Sequence, residues 1–228
     1  MQVKKIWAMY WSATGTTKTV VTAVAGKMAD KLGLPLEEYD FTLPAERQGA
    51  PEFGPEEVVV FGTPTYAGRV PNVQLKYLAT VKGNGAAAVP VVTFGNRAFD
   101  DSLIELRDIL ADNGFRPFAA AAFACEHSFS TTLAAGRPDA DDLALAAQFA
   151  GEAAARVPAL DADTQVIEVP GRAKADRDYY QPRDRAGNSI DIRKVKPKTN
   201  DQCDNCGFCA AVCPMGSIDP QDVRQFTG

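Results

Sequence analysis

The run Ser12-Ala13-Thr14-Gly15-Thr16-Thr17 places four hydroxyls around one glycine. It lies between an apolar stretch, 3–10, and a segment with apolar residues at Val20, Val21, Val24, Met28 and Leu32, which is helical spacing. A hydroxyl-rich turn between a strand and a helix can hold a phosphate. The first amides of a helix have no intrahelical partner, the helix dipole adds partial positive charge, and a glycine lets the backbone curl around an anion. Ser12, Thr14, Thr16 and Thr17 would add hydroxyl donors, with Gly15 at the bend. No lysine is required, so the loop suits a phosphate monoester held mostly by neutral donors. The structural alternative is that Thr14 or Thr16 only caps the helix. The run matches neither Gly-x-x-x-x-Gly-Lys-Ser/Thr nor Gly-x-Gly-x-x-Gly.

Two further loops carry ring-binding chemistry. Thr63-Pro64-Thr65-Tyr66-Ala67-Gly68-Arg69-Val70-Pro71 follows a β-branched stretch, 58–62. Tyr66 is placed to stack on an aromatic ring. Gly68 can take a positive φ, so the Ala67–Gly68 peptide could turn over and present a different hydrogen-bonding group. A rigid turn set by Pro64 and Pro71 is the structural alternative. Gly95-Asn96-Arg97-Ala98-Phe99-Asp100-Asp101 follows the apolar stretch 87–94. Here Phe99 could flank the second ring face or edge, and Asn96 with the Gly95 and neighbouring amides could reach a polar edge. Asp100 fits the N-cap of the next helix, which is the favoured role, and Arg97 fits the surface.

Cys203-x2-Cys206-x2-Cys209-x3-Cys213-Pro214 is the most specific signal in the chain. Such tight spacing lets thiolates from one loop reach several corners of an iron–sulfur cubane, with Gly207 giving the loop room to turn. Zinc is the alternative, although its sites usually pair two Cys knuckles across a longer spacer. In two-cluster ferredoxins the fourth Cys of such a run ligates the other cluster. No second run is present. The tail therefore reads as a truncated or incomplete ferredoxin-like segment. Either Cys203, Cys206, Cys209 and Cys213 together hold one cluster, or the tail holds none.

The elements that must position these loops alternate strand and helix. Strands are expected at 3–10, 36–39, 58–62, 87–94 and 116–124, and helices at 17–32, 72–80, 100–112 and 139–157. A short strand is possible at 165–169. Five strands alternating with helices predict a doubly wound α/β fold with a parallel sheet and right-handed crossovers. Ligands in such sheets sit at the carboxyl ends of the strands, so the three loops should converge. His127, the only histidine, falls just past the fifth strand. It reads equally as a proton donor or anchor near the ligand and as a hydrogen-bonded structural residue. Cys125 is most simply a small buried residue.

Composition bounds the rest. The chain has 228 residues, 46% of them hydrophobic, with a net charge of −5. An acidic balance argues against nucleic acid as main partner. Charge is uneven, however: residues 172–198 hold nine Lys/Arg against four Asp. That boundary divides the chain into 1–160, a basic connector over 161–199, and 200–228. The connector reads as an extended segment over a surface, its charge solvated or, alternatively, screening repulsion between two anionic cofactors. No apolar stretch is long enough to span a membrane. Cysteines crowded together favour metal over disulfides and a reducing cytoplasm.

The Ser12–Thr17 run resembles the phosphate loop of flavodoxins, which holds the phosphate of FMN. The three loops in this order resemble the flavodoxin-like fold across residues 1 to about 158. The Pro64–Pro71 loop, with Glu126-His127-Ser128-Phe129-Ser130 and Gly136-Arg137-Pro138-Asp139, resembles the flavodoxin–ferredoxin fusion family. The resemblance implies an FMN domain with a five-stranded parallel sheet, followed by a partial 4Fe-4S ferredoxin-like segment. It implies electron relay between FMN and a cluster, with redox partner proteins as donor or acceptor. Acidic Asp100 near the ring would lower the flavin potential. The other readings are a flavin-dependent reductase, using the cluster as electron inlet, and a redox-sensing module.

Overall fold

The structure, a computed structural model, describes residues 2–190 and 198–226. Residues 191–197 of the expected connector, and the last two of the tail, therefore lie outside the described residues. In order the elements are β1 (Lys5–Tyr10), α1 (Thr16–Leu32), β2 (Leu36–Asp40), β3 (Glu57–Pro64), α2 (Asn72–Leu78) and β4 (Ala87–Phe94). They continue with α3 (Ser102–Asp112), β5 (Arg116–Pro117), β6 (Ala121–Ala124), α4 (Ala140–Arg156) and a single turn, α5 (Phe208–Ala211). Every strand pairing in the sheet is parallel, in the order β2-β1-β3-β4-β5, with β6 also on β4. This is the flavodoxin-like, doubly wound 2-1-3-4-5 order, with its switch point between β1 and β3.

Both sheet faces are covered, which is why the central strands are apolar throughout rather than alternating. Ile6, Ala8, Tyr10, Val58, Val60, Val89 and Val91 pack with α1 and α4. Trp7, Met9, Val59, Phe61, Ala88 and Val92 pack with α2 and α3. Gly62 lets α1 approach β3 closely: a Cβ there would lie 2.1 Å from Cγ2 of Val21.

The expected continuous fifth strand, 116–124, is two strands. Pro90 of β4 explains the break. The Phe118 amide donates to the Ala88 carbonyl at 3.1 Å, so that edge of β4 faces the fifth strand. Two residues on, the nitrogen of Pro90 faces the same way and has no hydrogen to give. The register shifts there, from Ala88 opposite Pro117 to Val91 opposite Ala121, so the fifth strand carries one extra residue across the gap.

Other boundaries move less. The third helix begins at Ser102, so Asp100 is not its N-cap; Asp101 holds that position, and its carboxylate caps no helix amide because Arg172 occupies it. The fourth helix has a full capping box, Asp139 with Asp142. No strand forms at 165–169; one hydrogen bond, from the Ile167 amide to the Pro117 carbonyl at 2.9 Å, joins that stretch to the sheet. Among the described residues no helix is long and apolar enough to cross a membrane.

Candidate functional site

The loops after β1, β3, β4 and β6 meet at the carboxyl ends of the strands around a narrow cleft of about 30 Å³. Of the residues expected from sequence, Thr14, Thr16, Thr17, Pro64, Thr65, Tyr66 and Gly95 line it. Ser12, Gly15, Ala67, Gly68, Asn96, Arg97, Phe99 and Asp100 do not, although several shape the loops that do. A wider groove beside Arg47, Tyr77 and Lys82 shares no residue with these loops.

In the first loop Gly15 sits at φ +88°, the left-handed region that favours glycine, and leads directly into α1. Gly15, at the N-cap, has no side chain to cap this helix, no acidic residue occupies its first turn, and of its first amides Lys18 is taken by the Ser12 hydroxyl. Its amino end is therefore available to an anion. Thr14 is exposed and Thr16 half-buried. Ser12 and Thr17 have different tasks from those expected. The Ser12 hydroxyl accepts from the Lys18 amide at 2.9 Å, and the Ser12 amide donates to the Thr42 hydroxyl at 2.8 Å, so Ser12 holds the turn in shape. Thr17 is buried, and its hydroxyl lies 2.7 Å from that of Thr93, tying α1 to β4.

The second loop is a tight hairpin. The Tyr66 amide donates to the Arg69 carbonyl at 2.9 Å, and the Arg69 amide returns the bond at 3.1 Å. Ala67 at φ 49° and Gly68 at φ 78° form the corner. Two successive left-handed residues are the signature of a type I′ turn. Gly68 takes the positive φ anticipated for it, and Ala67 does so as well, at a steric cost. Thr65 is fixed twice: its amide donates to the Thr93 carbonyl at 2.7 Å, and its hydroxyl lies 2.7 Å from that of Ser102. The Tyr66 ring is 40% exposed and meets Trp11 edge-on at 5.8 Å. The exposed part of the ring is available to a planar ligand.

The third loop departs most from expectation. Phe99 does not stand over the cleft; it meets Phe94 edge-on at 5.5 Å and packs against the α2/α3 core. Asn96, at φ 58°, is exposed. Arg97 pairs with Asp100, so the carboxylate expected to lower a flavin potential has its charge offset by a neighbouring cation. Gly95 makes room for His127: a Cβ there would lie 2.6 Å from the imidazole Cδ2. The His127 Nδ1 accepts from the Phe129 amide at 3.1 Å, so the ring is engaged in holding its loop.

Sequence reasoning missed Ala13, Thr93, Phe94, Cys125, Glu126 and Ser128 as lining. Ala13 follows β1, Thr93 and Phe94 end β4 immediately before Gly95, and Cys125, Glu126 and Ser128 follow β6, so position at a strand's carboxyl end was the signal that could have found them. Burial pushes the Cys125 thiol up to about 12, which keeps it neutral and agrees with a packing role.

These residues suit FMN: an open helix amino end with Thr14 and Thr16 for a phosphate, and an exposed aromatic on a strained turn for a ring. The cysteines stand differently. Cys203 and Cys213 are half-buried, while Cys206 and Cys209 are exposed. Among the described residues no three of His, Cys, Asp or Glu are gathered so as to hold a metal. As placed, the four thiols do not form a ligand cage for a cluster.

No protein-family model matches the sequence, and no curated protein does. Solved structures do. A flavodoxin from the domain Archaea aligns with 68% of this chain and 99% of its own, at 14% identity and a TM-score of 0.48. The rubredoxin oxygen:oxidoreductase of Desulfovibrio gigas aligns over 69% of this chain and 37% of its own, at 17% identity and a TM-score of 0.48. Fusobacterium nucleatum flavodoxin, bound to flavin mononucleotide, aligns over 69% and 98%, at 16% identity and a TM-score of 0.42. The likeness is one of fold, and the flavodoxin-like architecture assigned above rests on this chain's own strand pairing.

Proposed function

We propose that this chain is an FMN-binding electron-transfer protein. The observation that carries the reading is convergence. A helix amino end with glycine at its N-cap, a half-exposed tyrosine on a type I′ turn, and Gly95 border one cleft at the switch-point end of a 2-1-3-4-5 sheet. Thr14, Thr16 and the first amides of α1 would hold the phosphate, and Tyr66 would stack on the ring. When bound, FMN supplies the capacity to take up and release one or two electrons. The chain's own residues bind and orient it. Exposed Tyr66, with Phe129 fully open to solvent on the adjoining loop, favours a carrier that meets redox partner proteins over a reductase with an enclosed substrate cavity. Free cysteines suit a reducing compartment such as the cytoplasm.

A finer reading concerns the tail. We read 1–160 as the FMN domain, 161–199 as a connector and 200–228 as a ferredoxin-like segment. The Cys spacing favours a 4Fe-4S cluster as the electron-exchange partner of FMN. Partial burial pushes the Cys213 thiol up, but hydrogen bonds from Ser217, Met215 and Gly216 outweigh it and bring the thiol below its ordinary value. The described placement does not gather the four sulfurs.

Anaerobic purification with counts of FMN, iron and sulfide per chain tests both readings. About one FMN per chain is expected, and a chain that neither retains nor rebinds FMN overturns the main reading. Four iron and four sulfide establish the relay; iron-free protein removes it and leaves a flavin carrier.

A further inference from the structure

The first three cations of the basic segment, Arg172, Lys174 and Arg177, are paired with α3. Asp101, Glu105, Asp108 and Asp112 recur at four, three and four residues along α3, so they form one acidic stripe. The Arg172 amide and Nε donate to Asp101 at 2.8 Å each, Arg177 reaches Asp108 at 2.5 Å, and Lys174 reaches Asp112 at 2.9 Å. Arg177 is itself buried. This clamp brings the next residues onto the candidate ring loops. The Tyr179 hydroxyl donates to the Val70 carbonyl at 2.9 Å, and Arg69 Nη1 donates to the Arg177 carbonyl at 2.5 Å. The Tyr180 amide donates to the Ala67 carbonyl at 2.7 Å. The Arg97 guanidinium, from the third loop, sits 4.5 Å from the Tyr180 ring centroid.

We infer that the strap 171–180 is a working part of the ring side of the cofactor site, with Tyr180 as the positioning residue for the Ala67–Gly68 peptide. The inference rests on the FMN reading above. Ala67 occupies the left-handed region without being glycine, a conformation that persists only where the surroundings over-determine it. The Tyr180 amide supplies that constraint from outside the hairpin. It fixes the direction of the Ala67 carbonyl, and with it the hydrogen-bonding group that the corner of the turn presents. Arg97 holds the Tyr180 ring at the same corner, so the strap joins the second and third loops. A segment more than a hundred residues beyond the turn therefore sets the turn's geometry.

The full-length chain with added FMN tests this. Tyr180→Pro removes the amide hydrogen that Ala67 accepts, together with the ring that Arg97 holds. Tyr180→Phe keeps that hydrogen and the ring. Tyr180 is half exposed, so neither change removes core packing. Three quantities decide: the FMN dissociation constant by fluorescence titration, the reduction potential of the bound flavin, and the thermal midpoint of the FMN-free chain. Loss of the hydrogen bond to a strained turn and of the Arg97 contact predicts about ten-fold weaker FMN binding and a shifted potential for Tyr180→Pro. Tyr180→Phe should match the wild type, and the FMN-free midpoints should stay together. Should Tyr180→Pro lower that midpoint, Tyr179→Phe, which removes only the bond to Val70, takes its place with the same expected direction. Wild-type affinity and potential in a folded variant lacking its bond overturn the strap's role alone. Failure of the wild-type chain to bind FMN overturns the cofactor reading and this inference with it.

Discussion

Glu105 grips Arg69 with both carboxylate oxygens, Nε to Oε2 at 2.7 Å and Nη2 to Oε1 at 2.5 Å, and also accepts the Val70 amide at 2.9 Å. Both side chains are largely buried. One carboxylate on α3 thus fixes the outgoing arm of the Tyr66–Arg69 hairpin. Removing one member of such a pair leaves a charge buried without its partner. Glu105→Ala is expected to cost about 3 kcal/mol or more in denaturant unfolding. Lys174→Ala, which breaks an exposed pair with Asp112, should cost under about 1 kcal/mol. Equal losses at the two sites would show that the hairpin is not held through Glu105.

Thr16 and Thr17 are adjacent in sequence but opposite in task. Thr17→Val leaves the buried Thr93 hydroxyl without its partner and should destabilise the fold by about 1–3 kcal/mol, with FMN affinity kept once folded. Thr16→Val removes a half-buried hydroxyl at the helix mouth. It should weaken FMN binding by about five- to ten-fold at unchanged stability. Paired titration and unfolding measurements check this; the reverse pattern would place the phosphate against Thr17 instead.

Ala67 is a position where glycine fits the backbone better than alanine. A left-handed alanine costs about 1–2 kcal/mol, and glycine gives back about 0.5–1 kcal/mol through unfolded-state entropy. Ala67→Gly should therefore raise stability by about 0.5 kcal/mol, against the loss normally seen for that change. A measured loss above about 1 kcal/mol would mean that the Ala67 methyl makes a stabilising contact.

Acid sensitivity should come partly from Asp142. Its pairing with Arg137 holds the carboxyl at about 2, against the upward pull of burial, and it also accepts the Asp139 amide at 3.0 Å. A folded value below the unfolded one of about 3.9 means stability that is present above about pH 4 and lost as pH falls through about 2. Asp142→Asn should cost about 1–2 kcal/mol at neutral pH and flatten the stability profile between about pH 4 and pH 2. An unchanged acid slope would assign that sensitivity to other carboxylates.

Local pattern settled the architecture. Apolar runs at 58–62 and 87–94 required strands covered on both faces, and spacing in 17–32 required an amphipathic helix between strands. Alternation of the two leaves few topologies, because parallel crossovers share one hand. The same reasoning placed three loops at one end of the sheet, and Thr14, Thr16, Tyr66 and Gly95 do meet there. What sequence could not decide was how each side chain is spent. Thr17 turns to Thr93, Phe99 turns into the core, and Asp100 pairs with Arg97, because each is nearer to a protein partner than to the cleft. The break in the fifth strand needed the register that sets Pro90 against 118–120. The strap needed the fold most of all: the charges of 172–177 find an acidic stripe only because the chain returns across α3. Sequence neighbours fix periodicity and turn chemistry, but contacts between residues a hundred positions apart exist only once the sheet has brought them together.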